Sequence, residues 1–258
     1  MNKLSQLFEN KKKNIISIYF TAGYPELNST NTILEGLNNA PVDLIEIGFP
    51  YSDPIADGKT IQKSSAIALK NGIDIQTIFN QVQSAADKIS KPIIAMGYYN
   101  QFLQFGEEAF LKACAASGIS GVILPDLPLD FYQMHYKKLF KKYNIAFIFL
   151  ITPQTSDERV KELSEASDGF LYMVSSSSIT GKRYDVSEQQ IAYFNRIKNL
   201  KLKIPYLIGF GIHDKKTFDI ACTYSNGAII GSAFIKAMDK NRLTQSIQEY
   251  IQETFGVK

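Results

Sequence analysis

Tryptophan is absent from the 258 residues, and cysteine and histidine occur twice each. Cys114 and Cys222 are too few for a disulfide framework. Neither has a metal-ligand neighbourhood, and each falls in a helical pattern, as a buried free thiol does. His135 and His213 do not make a zinc site in such sparse company, so no metal is expected. Long apolar runs are missing too. None approaches the roughly 20 residues that cross a bilayer, and the start, MNKLSQLFENKKK, lacks the apolar segment of a secretory signal. No membrane contact and a cytoplasmic location are therefore expected. Charge of one sign is not in excess either. The net charge of +3 is too small to argue for nucleic acid, and Lys11-Lys12-Lys13 reads as a short solvated turn. Neither a Walker motif nor a GxGxxG after a strand occurs, which disfavours nucleotide binding.

What is present is a regular alternation. Short apolar runs rich in β-branched and aromatic residues occupy Ile15–Phe20, Val42–Ile47, Pro92–Met96, Gly121–Leu124, Ala146–Ile151, Gly169–Val174, Pro205–Ile208 and Ala228–Ile230. Each is too short for a helix, and each is apolar nearly throughout, as parallel strands covered on both faces are. Between them lie amphipathic stretches with helical spacing: Thr30–Asn39, Thr60–Asn71, Ile75–Ile89, Glu107–Ser117, Phe131–Tyr143, Ser156–Glu165, Ser187–Asn199 and Asp214–Tyr224, with a last one at Asn241–Phe255. Ser156 and Asp214 stand where N-caps are expected, and Gly72 and Gly118 where helices end. Eight strands alternating with helices, without a linker or a shift in composition, predict an α/β fold. The expected form is a (β/α)8 TIM barrel, one domain over residues 1–258, with an extra N-terminal helix before Ile15 at the barrel bottom. A doubly wound open sheet is the alternative.

In a barrel every strand's C-terminal end meets the same face, and several informative residues converge there. The segment LIEIGFPYSDPIADG, Leu44 to Gly58, holds a carboxylate at the end of an apolar run, Glu46. Two more, Asp53 and Asp57, follow in a loop punctuated by Pro50, Pro54 and Gly58. A carboxylate in that position is a candidate acid–base centre, because burial without a partner is costly or keeps the group protonated. A buried glutamate satisfied by backbone donors is the bland alternative. Gly209-Phe210-Gly211 after the seventh strand and Gly231-Ser232 after the eighth place small residues where barrels of this kind hold phosphate. Thr180-Gly181, in a long sixth loop (Ser175–Val186), stand ready to cover the same ligand. Asp53 reads as a turn former, Asp126 as a helix cap or an organiser of the second loop, and Tyr98 and Tyr99 as packing residues.

At this point the chain resembles a known family. LIEIGFPYSDPIADGKTIQ is similar to the signature of the α subunit of tryptophan synthase. YFTAGYP, MGYYN, PDLP, ITP, SITG, GFGI and IGSAFIK follow in the family's order along the whole chain. The resemblance implies a carbon–carbon lyase of tryptophan biosynthesis. Such a lyase cleaves indole-3-glycerol phosphate to indole and glyceraldehyde 3-phosphate by a retro-aldol reaction. It implies Glu46 as general acid–base, Asp57 as the second catalytic carboxylate, and Tyr172 beside the substrate. Tyr19, Met96, Ile151 and Phe210 would contact the indole, Thr180 the substrate, and Gly181, Gly211, Gly231 and Ser232 the phosphate. It implies no cofactor in this subunit. The partner is a β subunit carrying pyridoxal phosphate in an α2β2 heterotetramer, to which indole is passed, with Pro50, Tyr51, Ser52 and Pro54 at the contact. Two departures stand out. Tyr19 replaces a frequent Phe, so a buried hydroxyl needs a partner, and Ser176-Ser177-Ser178-Ile179 replaces an Arg and a Gly before the Thr-Gly of the sixth loop.

The chemistry suits these residue types. Retro-aldol cleavage needs a proton delivered to C3 of the ring, a proton removed from the neighbouring glycerol hydroxyl, and an acceptor for the developing charge at the ring nitrogen. Two carboxylates in a partly closed site are expected to repel, so that Glu46 carries a proton near neutral pH. The alternatives are a stand-alone indole-releasing lyase of the same fold and a non-catalytic barrel that binds a phosphorylated ligand. The latter has no use for Glu46 and Asp57. A Schiff-base aldolase would want a lysine within a late strand, and none is there.

Overall fold

The computed structural model describes residues 2–175, 187–209 and 211–256. Its strands are β1 (Ile15–Thr21), β2 (Leu44–Gly48), β3 (Ile93–Met96), β4 (Ile119–Ile123), β5 (Ala146–Phe147), β6 (Leu150–Ile151), β7 (Leu171–Val174), β8 (Tyr206–Gly209) and β9 (Gly227–Ile230). All described pairings are parallel, in the order β5-β4-β3-β2-β1-β9-β8-β7-β6. The two ends of that order, β5 and β6, are consecutive in the chain, so the sheet closes on itself into a barrel.

The fifth stave was expected as one strand, Ala146–Ile151, and it is two. Its first half pairs with β4 and its second half with β7. Between them the backbone changes sides: Ile148 donates to Val122, while Phe149 donates to the Ser167 hydroxyl at 2.9 Å and accepts from Tyr172. A side-chain acceptor replaces a ladder partner there, which periodicity does not reveal.

The strands are buried because helices cover them; every residue of β1 and β2 is buried. The expected caps are in place. Ser156 accepts from the Arg159 amide and Asp214 from the Thr217 amide, and Gly72 and Gly118 follow their helices at φ +90° and +71°. The N-terminal helix, Lys3–Asn10, closes the barrel bottom. Asn2 donates to the Ser120 and Asn144 carbonyls, and Phe8 packs on Phe170 at 5.6 Å.

Two helical stretches differ from expectation. Phe131–Tyr143 is not one helix. A turn at Leu129–Phe131 leads into a π-helical turn, Tyr132–Tyr136, and then an α-helix, Lys137–Lys142. Buried Tyr132, Tyr136 and Phe140 are spaced by four, and the wider turn keeps them on one line better than 3.6-residue winding does. Ile75–Ile89 ends as an α-helix at Ala85 and finishes as a 3-10 turn, Ala86–Lys88. A short helix that patterning missed, Tyr99–Phe105, follows β3 and proves central to the site.

Candidate active site

Glu46 lies in β2 between Tyr19 of β1 and Ile94 of β3 and is fully buried. The pleat puts Ser17, Tyr19, Thr21, Glu46, Gly48 and Met96 on one face, by register the same face as Tyr172 of β7. One oxygen of Glu46, Oε1, accepts from the Ser17 hydroxyl at 2.6 Å. The other, Oε2, is buried with no hydrogen-bond partner. Burial raises the pKa from 4.5 to about 7, and the Ser17 bond opposes the rise. The expected rise is present, but its cause is desolvation and not repulsion from Asp57. A carboxyl half protonated near neutrality, with one oxygen anchored and one uncommitted, is suited to give and take a proton.

Asp57 sits at the end of the loop after β2. That loop is moored to the helix Tyr99–Phe105 at several points. Gln101 donates to the Pro50 carbonyl at 2.9 Å while its own oxygen accepts from the Tyr98 amide. Tyr51 stacks on Tyr98 at 5.0 Å and accepts from Asn100. The Tyr98 hydroxyl accepts from the Ala56 amide at 3.1 Å and donates to Asp57 Oδ2 at 3.1 Å. Tyr98, expected as packing, is therefore the direct holder of Asp57. A local signal is Gln101 three residues on, whose side-chain oxygen accepts from the Tyr98 amide and marks a helix start there. Burial raises Asp57 to about 6, and the Tyr98 bond pulls it back. Asp126 accepts from the Tyr99 amide at 2.8 Å and so caps this helix, not the one after β4. Asp53 is exposed and accepts from Ser52, as a turn residue does. Tyr98→Phe keeps the stack and deletes the tether to Asp57. The expected result is a roughly tenfold lower kcat with unchanged melting, checked by turnover and thermal unfolding on one preparation.

Tyr19 and Tyr172 are buried beside these acids, and burial, with the neighbouring carboxylates, pushes both phenols well above their ordinary range. Each phenol tip occupies space that a glycine leaves open. A Cβ on Gly48 would lie 1.9 Å from the Tyr19 hydroxyl, and one on Gly209 would lie 2.4 Å from that of Tyr172. Met96, half-buried, ends β3 beside Gly48. Ile151 is fully buried and pairs with Met173, whereas Leu150 pairs with Tyr172. The pleat thus sets Leu150 on the face of Tyr172 and Ile151 on the other. Thr180, Gly181 and Phe210 lie outside the described residues.

The register Gly209↔Ile229 aligns the ends of β8 and β9, bringing Gly211 and Gly231-Ser232 to the same level. Gly211 has φ +80° and is exposed, and exposed Ser232 opens the helix Ser232–Ala237. Free amides and a hydroxyl at the mouth of the barrel suit an anion. Ser232→Asp places a like charge there. Affinity for a phosphorylated substrate is expected to fall at least about tenfold, and an unchanged KM would move the phosphate elsewhere. Among the described residues no cluster of three or more His, Cys, Asp or Glu could hold a metal ion, and no helix is long and apolar enough to cross a membrane.

Comparison with known proteins points to one family. The family model for the tryptophan synthase alpha chain matches residues 4–256. The chain is 54% identical over 252 residues to the tryptophan synthase alpha chain of Karelsulcia muelleri (strain GWSS), covering 98% of each. It is 52% identical over 253 residues to that of Flavobacterium johnsoniae, covering 98% of this chain and 99% of the relative. Among solved structures, the tryptophan synthase A-subunit of Pyrococcus furiosus superposes with a TM-score of 0.87 at 32% identity, covering 96% of this chain and all, 100%, of that one. Tryptophan synthase from M. tuberculosis gives 0.85 at 27% identity, covering 98% of each. From the extent of these matches, the chain belongs to the tryptophan synthase alpha chain family.

Proposed function

We propose that this chain cleaves indole-3-glycerol phosphate to indole and glyceraldehyde 3-phosphate, with Glu46 and Asp57 as its catalytic carboxylates. The observation that carries the reading is Glu46, wholly buried on the inner face of β2 with one oxygen uncommitted, in the same barrel mouth as an Asp57 fixed by Tyr98. The protonated Glu46 carboxyl gives its proton to C3 of the indole, and Asp57 accepts from the ring N–H as positive charge builds there. Glu46, now a carboxylate, removes the proton of the glycerol hydroxyl next to the ring. The carbon–carbon bond breaks, its electrons return to the ring, and an aldehyde is left. Glu46 ends as it began, protonated. Phosphate held by Gly211, Gly231 and Ser232, with Gly181 and Thr180 from the sixth loop, positions the substrate away from the breaking bond. Tyr19, Tyr172, Met96 and Phe210 are assigned to the apolar contacts; Ile151, which pairs with Met173 and lies on the face away from Tyr172, is not.

The active form has Asp57 ionised and Glu46 protonated. Rate therefore falls below about 6 as Asp57 gains a proton, and falls above about 7 as Glu46 loses one. A bell-shaped kcat/KM with its maximum between these values is expected; a plateau from pH 7 to 9 would contradict the role of Glu46 as proton donor.

The chain is further assigned to a complex with a β subunit whose pyridoxal phosphate does the second reaction. None of the described residues is assigned to a cofactor. The Pyrococcus furiosus relative forms an a2b2 complex. Ile55, at the tip of the second loop, is 86% exposed, and Leu103 on the helix that moors this loop is 39% exposed. Apolar side chains so placed suit a partner surface over Tyr51, Ser52 and Pro54; Pro50, expected there too, is buried beneath the loop. The test is indole release from indole-3-glycerol phosphate with and without the β subunit. Indole formation that rises several-fold on mixing supports both assignments; no indole in either case refutes the first.

A further inference from the structure

The chain leaving β8 passes through two glycines, and the carbonyl of each is held. The Gly209 carbonyl accepts from the Ser175 amide at 3.2 Å and from the Ser175 hydroxyl at 3.1 Å. The Gly211 carbonyl lies 2.8 Å from Nδ1 of His213. Gly211 needs such a hold. It is exposed, its φ is +80°, and a Cβ built on it would meet nothing within 4 Å. Nothing packs where its side chain would be, and glycine has more backbone freedom to lose than any other residue. His213 itself is anchored by the helix that follows. Its amide and that of Asp214 each donate to the buried Thr217 hydroxyl at 3.1 Å, and Asp214 caps the helix Lys215–Tyr224. We propose that His213 is a positioning residue for the substrate phosphate. Its ring pins the Gly211 carbonyl and so holds the glycine backbone of the anion cradle in its binding conformation.

The chemistry of the two partners fixes the direction of this bond. A carbonyl only accepts, so Nδ1 carries the proton and the tautomer is set. The bond therefore persists whether the ring is neutral or charged. A peptide unit is planar and trans, so its N–H points opposite to its C=O. Turning the Gly211 carbonyl toward the ring sets the direction of the Ile212 N–H and restrains the glycine's ψ. Among the described residues no acceptor takes the Gly211 or the Ile212 amide, which leaves both for an anion. The far nitrogen, Nε2, lies 3.6 Å from Asp214 Oδ2, a long contact between partly exposed groups that contributes little. The role is carried on the Nδ1 side. A backbone held in place before the ligand arrives has less freedom to lose on binding, and that difference is read as affinity.

The inference rests on the proposed placement of the phosphate at Gly211, and the experiment separates the two. Glycerol 3-phosphate is the probe, followed by equilibrium titration, with indole as the control ligand. His213→Phe keeps a ring and loses the donor. Its affinity for glycerol 3-phosphate is expected to fall about three- to tenfold, with indole affinity and melting temperature unchanged. In turnover with the β subunit present, KM rises by a similar factor while kcat stays within about twofold. His213→Asn puts an amide nitrogen where Nδ1 stands and restores most of the loss. His213→Gln, whose amide reaches the place of Nε2, does not. Nitrogen NMR of the wild-type chain should show the neutral ring protonated on Nδ1. Unchanged affinity in His213→Phe, rescue by Gln and not by Asn, an effect confined to kcat, or a neutral ring protonated on Nε2 would each overturn the role of His213. Affinity lost in Ser232→Asp but kept in His213→Phe would leave the phosphate where it is placed and remove His213 alone. A wild-type chain that binds no glycerol 3-phosphate would refute the placement itself, and the inference with it.

Discussion

Glu46→Gln is expected to bind substrate and release almost no indole, a loss of roughly a thousandfold or more in kcat. General acid–base groups supply on the order of 10²–10⁴ in rate, and here one side chain serves both proton transfers. The amide has a similar shape, and its oxygen can still accept from Ser17, as Oε1 does at 2.6 Å. It cannot lose and regain a proton at neutral pH. A single-turnover assay of indole release, beside a titration of substrate binding, checks the prediction; turnover within about tenfold of wild type removes Glu46 from the acid–base role. The variant also carries its own control for folding. With its pKa raised from 4.5 to about 7, Glu46 keeps a proton in the folded chain that the unfolded chain releases. The folded state is therefore progressively penalised as pH rises from about 4.5 to about 7. An amide at this position does not titrate and abolishes the penalty, so the melting temperature of the variant should depend less on pH through that window.

Asp57→Asn is expected to lose about a hundred- to a thousandfold in kcat, with substrate affinity within a few-fold of wild type. The amide oxygen can still accept from Tyr98, so the loop keeps its mooring at 3.1 Å. What is lost is a full negative charge where positive charge develops on the ring nitrogen, a stabilisation felt in the transition state more than in the bound substrate. Asp57→Ala removes the mooring as well and should be worse. The pH profile adds a separate reading: in Asp57→Asn the acid limb near 6 should disappear while the limb near 7 stays. An acid limb that survives would assign it to another group.

Much of the candidate site was legible before the fold, and the reason differs by residue. Glu46 stood out because an ionisable group in an apolar strand is costly and calls for an explanation. Asp57, Gly211, Gly231 and Ser232 stood out because short polar or small residues after a strand have few other reasons to be there. Tyr98 did not, because an aromatic residue after a strand is most often packing. Only the turn of the Tyr99–Phe105 helix brings its hydroxyl to the Ala56 amide and the Asp57 carboxylate. The Ser17 partner of Glu46 was hidden likewise, since a serine in β1 has no local mark that it faces β2 across 29 residues of chain. The split fifth stave escaped periodicity because its break rests on Ser167, a side chain outside the strand.

By itself the order of residues determined the alternation of parallel strands with covering helices, the helix caps at Ser156 and Asp214, and the membership of the two carboxylates in one end of a barrel. Those are consequences of period, propensity and chain direction, which are local and need no third dimension. Tertiary structure alone decided which hydroxyl holds which acid, that burial and not mutual repulsion lifts Glu46 toward neutrality, and that Leu150 faces Tyr172 while Ile151 turns away. Those depend on distances across the closed barrel and on how much water each group has lost, quantities that exist only once distant strands have met.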